Sequence, residues 1–347
     1  MTTLTLRRPD DLHLHLRDGE EMRAVVGFTA HRFGRAIIMP NLKPPVTTVP
    51  LARAYRDRII AALPTDCRFE PLLTLYLTEQ MKPAEIDAAR ASGLIAGVKL
   101  YPAGATTYSE AGVVTIERVF AVLERMAETG LPLLVHGEVV DPDVDVFDRE
   151  ERFIERVLAP LVERMARLKI VLEHITTRAG AQFVRQARPG VAATITPQHL
   201  LLNRNALLAG GIRPHHYGLP VLKREQDRMA LVEAAISGSP KFFLGTDSAP
   251  HERAAKESSY GCAGIFTAHA ALELYAEAFE SAGRLDRLQG FASEFGADFY
   301  GLPRNPGSIT LIKENWLSPS SIEFGAGTLV PFRAGENVAW RLAPGGR

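Results

Sequence analysis

Residues 11–17 read Asp11-Leu12-His13-Leu14-His15-Leu16-Arg17. This alternation is strand-like, because side chains two apart on a strand share a face. Two imidazoles then lie side by side at one strand end, which suits a metal ion, while the leucines face an apolar layer. The pattern equally fits a half-buried strand whose polar face carries histidine, so the rest of the chain has to decide.

Working outward from 12–17, seven more short β-type runs follow: 35–39, 71–76, 96–101, 132–136, 169–174, 191–196 and 241–246. Several are nearly continuous apolar runs, as expected of parallel strands covered on both faces. Helical patterns fill the gaps. Residues 113–129 place Val119, Val122, Leu123 and Met126 at helical spacing, with Gly130 as the C-cap. Within 79–92, Pro83 suits a first turn and Gly93 follows the end. Residues 148–168 carry Phe153, Val157, Leu161 and Met165 four apart, and Pro160 should kink or divide that helix. Residues 223–237 and 267–282 are further helices.

Eight strands alternating with helices over about 250 residues is the rhythm of an α/β protein of the (β/α)8 TIM-barrel class. A doubly wound open sheet shares that rhythm, but no GxGxxG or P-loop follows any strand. Residues 303–347 read as a small C-terminal extension of a single 1–347 domain.

Composition narrows the function. Lys+Arg and Asp+Glu are 40 each, so net charge gives no reason to expect nucleic acid or an anionic membrane as partner. Apolar residues make up 46 % of the chain, enough for a well-packed core. Cys67 and Cys262 have neither metal-ribbon nor disulfide-framework spacing and read as free thiols of a reducing cytoplasm. The N-terminus lacks the apolar core of a signal peptide, and no apolar run approaches the ~18 residues of a membrane span.

The strand ends carry the chemistry. The first ends with His13, His15 and Arg17, and the second with Met39-Pro40-Asn41. Lys99 lies near the end of the fourth, His136 and His174 end the fifth and sixth, and Asp247 follows the eighth. In a (β/α)8 barrel these ends converge on one mouth. Each residue has a structural alternative. The histidines could cap carbonyls, Lys99 could pair with an acid or act as a Schiff-base nucleophile, and Asp247 could be a helix N-cap. All would have to hold at once to dismiss the site.

Imidazole and carboxylate without thiolate suit zinc, with cobalt, manganese and iron left open. Four histidines and an aspartate exceed the needs of one tetrahedral zinc. Two metals ~3.5–4 Å apart would use them if something bridged the pair. A lysine ammonium cannot bridge cations, but its carbamate, N6-carboxylysine, offers two anionic oxygens.

At this point the motifs resemble a known family. The run Asp11-Leu12-His13-Leu14-His15-Leu16-Arg17-Asp18-Gly19 is similar to the first dihydroorotase signature. Gly245-Thr246-Asp247-Ser248-Ala249-Pro250-His251, with Lys256 beyond, is similar to the second. Met39-Pro40-Asn41, Lys99-Leu100-Tyr101-Pro102, Leu134-Val135-His136-Gly137-Glu138 and Glu173-His174-Ile175-Thr176 fall between them in the family's order. The likeness runs from Arg8 to Trp340 and is nearest to the short, monofunctional bacterial type within the amidohydrolase superfamily.

The resemblance implies a binuclear zinc hydrolase that interconverts L-dihydroorotate and N-carbamoyl-L-aspartate in pyrimidine biosynthesis. It implies two zinc ions per chain, one held by His13, His15 and Asp247 and the other by His136 and His174, bridged by carboxylated Lys99. Asp247 would also be the general acid and base. Arg17, Asn41 and His251 would grip the substrate carboxylate, Leu219 and Ala263 would give backbone contacts to the ring, and Thr106 and Thr107 would sit on a mobile loop. A homodimer is implied as well. The rivals are another cyclic-amide hydrolase such as a hydantoinase, a non-catalytic scaffold relative, and a Schiff-base aldolase built on Lys99.

Overall fold

The computed structural model describes residues 2–344. Strand β1 (Thr3–Arg7) precedes eight strands: β2 (Asp10–Leu14), β3 (Arg35–Ile38), β4 (Glu70–Tyr76), β5 (Ile95–Leu100), β6 (Leu133–His136), β7 (Ile170–Glu173), β8 (Val191–Ile195) and β9 (Phe242–Leu244). These eight form one sheet in sequence order, and each neighbouring pair is parallel. The ring closes where β9 returns to β2. There Leu14 bridges Ser248, Asp247 N–H donates to His13 O at 2.9 Å, and His15 N–H donates to Ser248 O at 3.1 Å. This is the expected (β/α)8 barrel.

The strands form because both their faces are covered. β7 and β8 are buried at every position, helices packing outside and side chains filling the inside. The barrel interior holds Leu12, Ile37, Met39, Leu134, Val171, Ala192 and Phe243 as an apolar plug. A larger apolar layer lies between strands and helices and includes Leu14 and Leu16. Leu12 thus departs from the expected alternation. The β2–β3 pairing shifts register between Asp11 and Leu14, which breaks the period of two there.

The strands end earlier than the residue pattern suggests. β2 stops at Leu14, so His15 and Arg17 lie just past it, and Arg17 has a left-handed φ of 63°. His174 (φ 42°) and Asp247 (φ 47°) share that conformation at the ends of β7 and β9. Three polar residues in a sparsely populated backbone region at one mouth is the pattern of a functional site.

Helix Phe120–Thr129 ends at Gly130 (φ 73°), and helix Pro83–Ser92 ends at Gly93 (φ 64°). Across 149–164 the chain stays helical, with one wider i→i+5 turn at Ile154–Leu158 just ahead of Pro160. That turn accommodates the missing proline N–H without breaking the helix. Further helices span Gly19–Arg32, Val49–Ala62, Arg178–Gln186, Glu225–Ile236 and Ala271–Ser281.

The C-terminal stretch adds β10 (Ser308–Leu317), β11 (Ile322–Phe324), β12 (Gly327–Leu329) and β13 (Asn337–Leu342). Its last three residues, 345–347, lie outside the described ones. β10 pairs antiparallel with both β1 and β13, so the extension is a sheet that recruits the N-terminus. Neither cysteine forms a disulfide. Among the described residues, no helix is long and apolar enough to cross a membrane.

Candidate active site

The C-terminal ends of the barrel strands surround a small, tightly lined cavity of about 20 Å³. His13, His15, Arg17, Asn41, Thr106, Thr107, His136, His174, Leu219, Asp247 and Ala263 all line it. Two of the residues singled out in the sequence sit behind this wall. Lys99 is fully buried beneath it, and His251 stands behind Arg17. A larger groove of about 1010 Å³ runs along the outer helices Arg178–Gln186 and Glu225–Ile236. It holds none of the strand-end residues.

The donor atoms of His13, His15 and Asp247 converge. His13 Nε2 and His15 Nε2 are 3.3 Å apart, and Asp247 Oδ1 lies 3.2 Å from the first and 3.0 Å from the second. Donors at about 2.0–2.2 Å from a tetrahedral zinc are ~3.3–3.5 Å from one another. The three atoms therefore already stand near the corner spacing of a zinc site. His13, Glu173 and His174 form a second group of potential ligands, and buried His174 Nδ1 has no hydrogen-bond partner. His136 belongs to neither group. It places Nε2 2.7 Å from Glu138 Oε2 and meets the His174 ring edge-on, with centroids 4.9 Å apart. The donor set as a whole fits a metal centre.

The electrostatics are those of a buried, coupled cluster. Burial pushes the Asp247 carboxyl up, but His13, His15 and His174 outweigh it and hold the group well below the usual carboxylate range. Burial brings His15 down to about 4, against the pull of Asp247. Burial also lowers the Lys99 ammonium, opposed by Glu173, to which Lys99 donates a short hydrogen bond. Glu173 in turn faces His13 Nδ1 at 3.1 Å.

Asp11 holds the barrel seam. Its Oδ1 accepts from His13 N–H at 3.2 Å and Thr246 N–H at 2.9 Å, and its Oδ2 accepts from Thr246 Oγ1 at 2.7 Å. One carboxylate thus registers the segment bearing His13 against the segment bearing Asp247. Gly245 permits that approach, since a Cβ there would lie 2.8 Å from Thr194 and 3.0 Å from the His13 Cβ. Asp11→Ala takes the carboxylate acceptor from the buried His13 and Thr246 N–H groups, at ~1–3 kcal/mol each, while Thr246 Oγ1 keeps His13 O at 3.3 Å. We expect a stability loss of ~2 kcal/mol or more and weaker metal retention, read by thermal unfolding and by metal analysis after dialysis.

Around the rim, Asn41 Oδ1 meets His15 Nδ1 at 2.9 Å and Asn41 Nδ2 donates to Thr107 O at 3.0 Å. Arg17 Nε donates to Pro250 O at 2.9 Å, and Nη2 meets His251 Nε2 at 2.8 Å. His251 Nε2 also lies 2.9 Å from Ala263 O. Burial and the neighbouring Arg17 and Lys256 bring His251 down to about 2, so the ring is neutral. Its one facing nitrogen can serve Arg17 as acceptor or Ala263 as donor, not both. Buried Lys256 donates to Tyr217 O, Cys262 O and Gly264 O at 2.8, 2.9 and 2.5 Å. It thereby ties the Ala263 loop to the chain leading into Leu219. Thr107 Oγ1 donates across the mouth to Ala263 O at 3.2 Å.

Glu173, Glu138 and Asp11 were not singled out from the sequence. A signal existed for Glu173: an acid ending the apolar run Ile170-Val171-Leu172 needs a buried partner, and Lys99 inside Val98-Lys99-Leu100 needs the same.

The chain resembles known proteins over nearly its whole length. The amidohydrolase family profile matches residues 11–324. A protein named dihydroorotase from Laribacter hongkongensis is 62 % identical over 344 residues, covering 99 % of this chain and 100 % of that one. The crystal structure of a dihydroorotase from Campylobacter jejuni superposes with a TM-score of 0.91 at 36 % identity, covering 99 % of this chain and 98 % of that one. The Saccharomyces cerevisiae dihydroorotase in complex with 5-fluoroorotic acid also gives 0.91, at 33 % identity, covering 99 % of this chain and 100 % of that one. The chain belongs to the amidohydrolase family and, within it, to the dihydroorotases.

Proposed function

We propose that the chain catalyses the reversible hydrolysis of the cyclic amide of L-dihydroorotate to N-carbamoyl-L-aspartate, in pyrimidine biosynthesis, with two zinc ions. The observation that carries this reading is the placement of Arg17. A guanidinium that would select a carboxylate stands on the same short segment as the convergent donors His13 and His15. Hydantoinase substrates have no need of such a carboxylate grip.

His13, His15 and Asp247 would hold one metal, His136 and His174 the other, and Lys99 as N6-carboxylysine would bridge them. Zinc supplies Lewis acidity, lowering the pKa of water from ~15.7 to about 7 and polarising a carbonyl. Burial favours the neutral amine of Lys99, the form that adds CO2. Carboxylation then sets an anion beside Glu173, which metal charge must compensate.

The remaining roles belong to the chain. Arg17 spends two of its five N–H donors on Pro250 and His251, leaving three for a carboxylate. An arriving carboxylate would also resolve the double demand on His251 Nε2. The Asn41 amide keeps one N–H free of Thr107. Backbone groups of Leu219 and Ala263 would contact the ring, and the Thr106–Thr107 loop would exclude water while the ring opens. Asp247, held ionised, takes a proton from the attacking water and passes it to the leaving ring nitrogen. Ring closure retraces the path. The family resemblance extends the proposal to a cytoplasmic homodimer, which light scattering after size exclusion would read.

The test is an absorbance assay of dihydroorotate hydrolysis. We expect turnover that disappears on chelation and returns with zinc. A metal-replete protein inert towards dihydroorotate would overturn the reading. Arg17→Lys should raise KM for dihydroorotate roughly 10–150-fold, the worth of one charge-assisted hydrogen bond of ~1.5–3 kcal/mol. An unchanged KM would remove Arg17 from the carboxylate site.

A further inference from the structure

The opposite end of the barrel carries a second set of convergent ligands. His31 lies in the last turn of helix Gly19–Arg32, and Asp66 and Cys67 lie in the loop that leads into β4. Cys67 Sγ is 3.2 Å from His31 Nδ1 and 3.7 Å from Asp66 Oδ1. One donor atom from each residue lies within 4.8 Å of the other two. In a tetrahedral site with a sulfur at about 2.3 Å and nitrogen or oxygen at about 2.0–2.2 Å, sulfur stands ~3.5 Å from its neighbours. The observed separations straddle that value.

We propose that His31, Asp66 and Cys67 form a separate, solvent-facing site for a borderline divalent cation, zinc or cobalt, at the N-terminal face of the barrel. Thiolate with imidazole selects such metals over magnesium or calcium. The thiolate and the carboxylate together cancel the dication's charge. His31 sits at a helix C-terminus, where the macrodipole favours positive charge. Arg8 stands near Cys67, and its Nη2 donates to Ala30 O at 2.8 Å and Phe33 O at 3.3 Å. The three residues line a groove of about 710 Å³ shared with Arg8, Arg68 and Arg341, and water would supply the fourth ligand. The bound ion would pin the loop before β4 to the end of helix Gly19–Arg32.

The catalytic mouth offers only nitrogen and oxygen donors, so a thiolate signal separates the two sites. The experiment titrates Co2+ into the purified metalloprotein under thiol-free reducing conditions and follows thiolate-to-cobalt charge-transfer absorption. We expect one cobalt per chain to produce the band, which Cys67→Ser abolishes and Cys262→Ser retains. His31→Ala and Asp66→Ala should each raise the half-saturating cobalt concentration by roughly tenfold or more. Dihydroorotate turnover should be unchanged in Cys67→Ser, because the site lies at the far end of the barrel. Absence of the band in the unsubstituted protein, its survival in Cys67→Ser, or unchanged half-saturation in both alanine variants would overturn the proposal.

Discussion

Asp247→Asn loses turnover by about 10⁴-fold or more while the barrel stays folded. Two roles vanish together in this variant. The amide cannot carry the proton between water and ring nitrogen, a step worth ~10²–10⁴-fold by itself. It is also a poorer, neutral ligand where a carboxylate oxygen lies 3.0–3.2 Å from two imidazoles. The fold should survive because the backbone N–H of residue 247 still donates to His13 O. Asparagine also tolerates the left-handed backbone there (φ 47°) better than most residues. Asp247→Ala removes the ligand altogether and should be equally inactive. Circular dichroism and thermal unfolding monitor the fold, and kcat decides the role. Near-normal kcat in the asparagine variant would sink the acid–base assignment.

Lys99→Ala is expected to cost the protein one metal per chain and nearly all its activity. Without the lysine there is no carbamate to span two cations. In the uncarboxylated protein the substitution also strips Glu173 of one of its two buried partners, leaving His13 Nδ1 at 3.1 Å, and breaking a buried pair costs up to ~3–5 kcal/mol. A lower thermal midpoint should therefore accompany the metal loss. Retention of two metals by elemental analysis would refute the bridge. The double variant Lys99→Ala/Glu173→Gln removes the under-compensated charge. It should recover part of the stability and none of the second metal, separating the structural effect from the metal effect.

Much of the fold is legible in local pattern. A strand covered on both faces must be apolar throughout, so runs such as Ile170–Glu173 and Val191–Ile195 announce themselves. Gly93 and Gly130 mark helix ends because left-handed caps favour glycine. Strand β1 is less visible. Its partner β10 lies some 300 residues away, and Thr3–Arg7 is a short edge strand with no core of its own. Pro160 divides its helical stretch as expected, by one widened turn instead of a break in the chain's helical course.

The site divides along the same line. His13, His15, Lys99, His136, His174 and Asp247 stand out because polar residues at the ends of apolar strands have no local reason to be there. Glu173, Asp11 and Glu138 stay silent because their importance lies in what they touch. Glu173 matters through Lys99, two strands away, and Asp11 through Thr246, across the seam.

The sequence by itself determined that eight parallel strands would form, in what order, and which residue types would meet at their ends. Periodicity, caps and strand-end chemistry are local and survive in one dimension. Only the tertiary structure decided how His13 and His15 meet Asp247. That depends on β9 returning to β2, on the Asp11 carboxylate holding the register, and on three left-handed residues turning side chains inward. Such contacts join residues more than 200 positions apart, and their free energy exists only once the ring has closed.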